Sequence, residues 1–199
     1  MREQDVKVSR EQAEENRRRI VEVAGELFRE HGFDGIGLAD LMKKAGLTHG
    51  GFYGHFKSKE DLAAEASERV LSKNAERLSA VIERAKGDPL SALVTSYLSE
   101  CHIKERGKGC AFAALGADAA RHSAILRSAF TKGVEDYLAH LSDIVPGRTK
   151  AGKRKKAMAT LSGMVGALVL ARAVDDANLA KEILAATAAS LTTPPAGRA

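Results

Sequence analysis

Apolar positions along the chain repeat at the three-and-four spacing of amphipathic helices, and nowhere at the alternation of a strand. From about Gln12, the residues Ile20, Val23, Ala24, Leu27 and Phe28 share one helix face, and Gly32 is placed to end that helix after His31. Leu38, Leu41, Met42 and Ala45 predict a short second helix closed by Gly46. Thr48 is positioned to cap a third through about Phe56. Ser58, with Asp61 three residues on, reads as a capping box opening a long fourth helix to about Lys86.

Asp88-Pro89 offers an N-cap and an N1 proline for a fifth helix to about Arg106. Gly107, Gly109 and Gly116 interrupt the next stretch of chain, leaving a short sixth helix over Cys110–Ala120. His122 to Val145 predicts a seventh, stopped by Pro146-Gly147, and the basic stretch RTKAGKRKK reads as a solvated loop. An eighth helix is expected from about Lys156 to Val174 and a ninth from Asn178 to Leu191. Tryptophan is absent and only four prolines occur, two of them in the tail Thr193-Pro194-Pro195-Ala196, so long stretches run without a helix breaker. The expectation is an all-α fold of about nine helices.

Hydrophobic residues make up 44% and charged residues 29%, a globular balance that excludes intrinsic disorder. The net charge of +5 is not where a nucleic-acid reading needs it: residues 1–60 hold 11 basic and 11 acidic side chains, and the excess lies beyond them. Within the first part, however, positions 43–59 carry Lys43, Lys44, Lys57 and Lys59 with no carboxylate, a window able to face phosphate. Two cysteines, Cys101 and Cys110, show no zinc-finger spacing and are too few for a disulfide framework. The start of the chain has no apolar leader pattern and no run of about 18 apolar residues is found, so a cytoplasmic protein without membrane contact is expected.

The second and third helices, joined by Gly46-Leu47-Thr48, have the form of a helix-turn-helix, whose second helix enters the DNA major groove. That helix, His49-Gly-Gly-Phe-Tyr-Gly-His-Phe56, holds three glycines, each costing about 1 kcal/mol against alanine. Phe52 and Phe56, four apart, are expected to pin it to the first two helices, leaving His49, Tyr53 and His55 outward. Arg17, Arg18 and Arg19, interleaved with Glu14, Glu15 and Glu22, read as a solvated face of the first helix.

The stretch GLTHGGFYGHFKSKEDL closely resembles the signature of the TetR/AcrR family of transcriptional regulators, and the resemblance is strong over about residues 16–62. It implies that Thr48 caps the recognition helix and that Tyr53, His55 and Lys59 contact phosphates. It also implies that His49, Gly50, Gly51 and Gly54 face the bases and that Phe52 and Phe56 are core. Two departures are visible: Gly37 stands where the family often has Thr or Ser, and Gly51 and Gly54 stand where larger side chains often read bases. Direct readout is then thin, with DNA shape supplying the remainder.

By the same resemblance the last two helices form a homodimer, and a pseudo-palindromic DNA operator is the partner. The implied organisation is an N-terminal three-helix DNA-binding domain over 1–60, an effector-sensing and dimerisation domain over 61–192, and a tail over 193–199. Tyr97, Cys101, Phe112, Leu115, Phe130 and Met164 are the candidate lining of an effector pocket, although Cys101, inside the fifth helix, reads as packing. Cys110 follows Lys108-Gly109 at a helix start with Arg106 nearby, a setting that favours a thiolate, although a buried, apolar-like cysteine is the commoner reading of such a residue. The segment GKGCAFAALGAD is similar to a subgroup that includes thiol-based sensors of electrophiles and oxidants. A repressor released by a small hydrophobic or thiol-reactive inducer is therefore expected. Neither a phosphate-binding glycine loop nor a nucleophile elbow is found, so no enzyme and no cofactor are expected. Cys101, His102, Cys110 and His122 have no standard ligand spacing, so no metal is expected either.

Overall fold

A computed structural model describes residues 10–193; residues 1–9 and the Pro194-Pro195 tail lie outside the described residues. Nine α-helices and two 3-10 helices form it, with no strand among the described residues. The first half comprises α1 (Arg10–His31), α2 (Leu38–Lys44), a 3-10 helix (His49–Gly54), and α3 (Lys59–Arg84). Next come α4 (Pro89–Tyr97), α5 (Glu100–Lys104), a second 3-10 turn (Arg106–Lys108), and α6 (Ala111–Ala119). The long helices α7 (Ala124–Ile144), α8 (Lys150–Ala173) and α9 (Ala177–Thr192) complete the chain.

The starts are set by local side-chain chemistry, each hydroxyl or carboxylate accepting a free N–H of the first turn. Ser58 Oγ accepts from Asp61 N, Asp88 from Ser91 N, Ser123 from Leu126 N, and Thr149 from Gly152 N. Gly37 opens α2 with no side-chain cap, as its identity requires. The end of α2 is a Schellman closure: Leu47 N–H donates to Met42 O (2.9 Å) and Gly46 N–H to Lys43 O (3.0 Å). Gly46 takes φ +69° there, which only glycine adopts without strain.

Three expectations about elements need correction. The basic stretch is not a loop: Thr149 caps α8 at Lys150, so RTKAGKRKK supplies its first turns. The predicted fifth helix is two: Leu98 leaves helical geometry and Ser99 caps a new turn, while the His102 ring takes the Tyr97 carbonyl at 2.8 Å. The recognition segment is 3-10 rather than α, and Thr48 occupies its N-cap position without donating or accepting a side-chain cap bond.

Helix α3 is the axis of the molecule, packing on α1, α4 and α7. Contact with α7 is close because Gly133 lies against Leu71; a Cβ there would come within 2.7 Å of Leu71 Cδ1. One continuous core runs from Ile20, Phe28 and Phe52 through Leu62 and Leu78 to Leu141 and Met164. Among the described residues, α8 is long and apolar enough to cross a membrane by length and composition, with mean hydropathy 1.2, where the sequence suggested no such run. Its Ala157, Met164 and Leu168 are buried against the bundle.

Candidate nucleic-acid interface and effector cavity

The segment 49–56 holds a sharp division between its two faces. Phe52 is fully buried and stacks on Phe56, ring centroids 5.6 Å apart. Tyr53 stands 67% exposed, edge-on to Phe52 at 5.2 Å. His49, Gly50, Gly51 and Gly54 are exposed beside it, Thr48 and Lys57 are exposed, and His55 and Lys59 are half-buried. A 3-10 helix of six residues, half of them glycine, has little intrinsic stability. The two phenylalanines supply the anchoring that the backbone does not.

A second anchor was not legible. The sequence reads Arg17 as part of a solvated face, but its guanidinium lies 4.1 Å from the Phe56 ring centroid. It also donates to the His55 carbonyl and pairs with Glu65 on α3. Arg17 thus ties α1, the end of the recognition segment and α3 together at one point. Arg18 and Arg19 remain exposed, as expected.

In the C-terminal half the candidate effector residues separate into two groups. Tyr97, Cys101 and Cys110 line one cavity of about 390 Å³, with Asn74, Arg77, His102 and Tyr137. Phe112 and Phe130 are not in that lining; they are core, Phe112 packing edge-on to both Phe130 (6.1 Å) and Tyr137 (5.5 Å). Leu115 and Met164 are buried core as well.

Of its two readings from sequence Cys110 takes the buried one, and Cys101 departs from its reading as packing. Cys110 occupies the N-cap position of α6 without a side-chain cap bond and is only 3% exposed, and burial pushes its thiol up rather than down. Desolvation of a thiolate outweighs the helix N-terminus and the nearby Arg172. Cys101, read as packing, is exposed at the cavity edge because the break after α4 turns α5 outward. His122 does not join these residues: its ring meets Phe33 edge-on at 5.1 Å and its Nε2 lies 3.6 Å from Asp34.

His102 organises the cavity wall. Its Nδ1 faces Tyr97 O at 2.8 Å, and Cys110 N–H donates to its Nε2 at 2.9 Å. A carbonyl requires a proton on Nδ1 and an N–H requires a lone pair on Nε2, so the ring is the neutral Nδ1–H tautomer. Burial lowers its pKa, in the same direction.

The wall is fastened to α1, α3 and α8. Arg29 of α1 donates to Gly109 O (3.2 Å), Arg77 of α3 to Lys108 O (2.9 Å), and Arg172 of α8 to His102 O (2.6 Å). Burial lowers Arg29 to about 10, which leaves it charged at neutral pH. At the other end of α6, Ser123 N–H donates to Glu60 Oε1 (3.1 Å) in the first turn of α3.

The profile of "Bacterial regulatory proteins, tetR family" matches residues 20–66. The HTH-type transcriptional regulator AcrR of Shigella flexneri is 38% identical over 85 residues, 43% of this chain and 40% of that protein. The HTH-type transcriptional repressor NemR of Escherichia coli K12 is 28% identical over 131 residues, 64% of this chain and 66% of its own length. The match thus spans two fifths of one curated relative and just under two thirds of the other. In structure, the reduced form of E. coli NemR superposes with TM-score 0.75 at 24% identity, covering 92% of this chain and all of that one. A TetR family regulator from Agrobacterium tumefaciens also gives 0.75, at 17% identity over 91% of this chain. Residues 20–66 thus match the tetR family of bacterial regulatory proteins, and the described chain shares the fold of solved tetR family regulators.

Proposed function

We propose that this protein is a DNA-binding transcriptional repressor that acts as a homodimer and is released from a pseudo-palindromic operator by a small molecule. The observation that carries the reading is the uncovered outer face of residues 48–57, held rigidly from behind by Phe52, Phe56 and Arg17. Tyr53, His55 and Lys59 serve as phosphate contacts, and His49, Gly50, Gly51 and Gly54 lie against base edges, with Thr48 at the entry. Phosphate contacts fix register and base contacts carry sequence.

Two half-sites need two recognition segments. A second copy docks on α8 and α9: Met158, Ser162, Val169 and Ala173 form an exposed stripe along α8, and Ala185, Ala186 and Ala189 continue it on α9. Small and apolar side chains at helical spacing allow close helix approach.

The inducer enters the cavity beside Tyr97, Cys101 and Cys110. Because Lys108 and Gly109 are bonded to Arg77 and Arg29, displacing that wall moves α3 and α1 together. A ligand favouring the displaced state by about 3 kcal/mol lowers DNA affinity by about two orders of magnitude. The buried Cys110 with its raised pKa favours a reversible occupant over attack on that thiol.

The test is binding to DNA flanking the protein's own gene, measured across salt concentration. Six to eight phosphate contacts in a dimer give a log–log slope of about −5 to −7. Flat salt dependence, or no retarded complex, refutes the reading.

A further inference from the structure

The cavity carries more hydrogen-bond donors than the protein can satisfy. Asn74 and Tyr97, each 6% exposed, line it, and Asn74 Nδ2 and the Tyr97 hydroxyl have no hydrogen-bond partner. Tyr97 lies beside the Cys110 thiol, but sulfur is a weak partner and the geometry is not that of an ordinary hydrogen bond. Behind the same wall, Arg29 Nε and Arg172 Nε are also buried and unpaired. All four atoms can donate, and three of them can only donate. Buried polar groups in folded proteins are nearly always paired, so two unpaired donors on the lining of one cavity, Asn74 Nδ2 and the Tyr97 hydroxyl, call for an explanation.

A larger groove of about 500 Å³ between α1, α3 and α7 carries no such signal, since its charges answer one another: Arg17 with Glu65, and Lys132 with Asp136 at 2.7 Å. The 390 Å³ cavity differs in kind. Its body is apolar, formed by Leu78, Leu93 and the rings of Tyr97 and Tyr137, while Arg77 and Lys108 stand at its edge with Glu105 as the one carboxylate.

We propose, resting on the effector-cavity reading of the proposed function, that the inducer is a small, mainly apolar compound bearing a carbonyl or carboxylate oxygen, to which Asn74 Nδ2 and the Tyr97 hydroxyl donate hydrogen bonds. These donors are already stripped of water, so a ligand oxygen gains their hydrogen bonds without dehydrating them. Both atoms are sealed in the free protein, so the oxygen reaches them only by spreading α3, which carries Asn74, from α4, which carries Tyr97. Cationic compounds are rejected by Arg77 and Lys108.

The discriminating measurement is calorimetric titration of the DNA-free full chain with a matched set: 2-acetylnaphthalene, 2-naphthoate, 2-ethylnaphthalene and 2-naphthylmethylamine. The ketone and the carboxylate are expected to bind at least tenfold tighter than the hydrocarbon, and the amine weakest. Asn74→Leu and the conservative Tyr97→Phe should each shrink the ketone-to-hydrocarbon ratio several-fold, circular dichroism confirming the fold. Equal affinity for ketone and hydrocarbon, a ratio unchanged in both variants, or no binding by either oxygen-bearing probe overturns the proposal. The regulator reading fails separately: a chain that binds the ketone but no DNA refutes it alone, and a DNA binder indifferent to oxygen refutes only the ligand class.

Discussion

Replacing Arg17 with alanine isolates the anchoring of the recognition segment from its contact with DNA. The side chain makes a charge-assisted hydrogen bond to the His55 carbonyl and a cation–π contact with Phe56 at 4.1 Å. A charged donor on a carbonyl is worth about 1.5–3 kcal/mol, and the ring contact at a half-exposed position about 0.5–1 kcal/mol. The pairing with Glu65, with both side chains about two fifths exposed, adds little. These contributions are not additive and Phe52 and Phe56 retain most of the anchoring, so we take about 1 kcal/mol as the ordering lost per protomer, about 2 kcal/mol for the two copies in a dimer, which is roughly thirtyfold in operator affinity. Fluorescence anisotropy with labelled DNA at several salt concentrations reads both quantities that matter. The midpoint should move by about thirtyfold while the log–log slope stays that of wild type, because no phosphate contact has been removed. Arg17→Lys should fall between the two. If the alanine variant instead loses nearly 2 from the slope of the dimer, Arg17 touches phosphate directly. Unchanged affinity would show that the phenylalanines suffice.

Other changes test other joints. Tyr53→Phe or Lys59→Ala should weaken binding to every DNA sequence alike, and an altered sequence preference at constant affinity would contradict the phosphate assignment. Cys101 should be alkylated by N-ethylmaleimide at least tenfold faster than Cys110 when the two peptides are tracked by mass spectrometry; the reverse order would place the reactive thiol where sequence first suggested. His102 is held below its ordinary pKa, so the unfolded chain takes up a proton that the native ring refuses. Its contribution to stability is intact above about pH 6.5 and declines as pH falls from there toward the lowered native value. The stability gap between wild type and His102→Gln, from urea unfolding at pH 7.5 and 5.5, should narrow on acidification, and a gap independent of pH would contradict the neutral-ring assignment.

What could be read in the sequence was whatever is decided within one turn of chain. Ser58 before Asp61 and Asp88 before Pro89 are local acceptors for local donors, and both open helices where expected. Gly37 declared a missing cap by its identity. Thr149 carried an equally local signal that the charge of the lysines after it obscured; those residues are good helix formers, and the helix begins there. What could not be read depends on partners far along the chain. Arg17 meets Glu65 across 48 positions, and no periodicity in α1 announces it. The choice between the two readings of Cys110 could not be made for the same reason: its flanking cations and helix start are visible in sequence, but the side chains around it come from α3, α4 and α7.

The glycines of the recognition segment have a meaning beyond their cost. A Cβ built on Gly50 or Gly54 meets no atom within 4 Å, and on Gly51 only Thr48 Oγ1 at 3.5 Å, an ordinary contact. Phe52 and Phe56 hold the fold from the opposite side and are indifferent to what these positions carry. Descendants of this chain can therefore acquire side chains at three outward positions one substitution at a time, without repacking the interior and with some backbone entropy regained at each step. Specificity for a new operator is reachable by neutral or stabilising steps, and divergence among duplicated copies should concentrate here first.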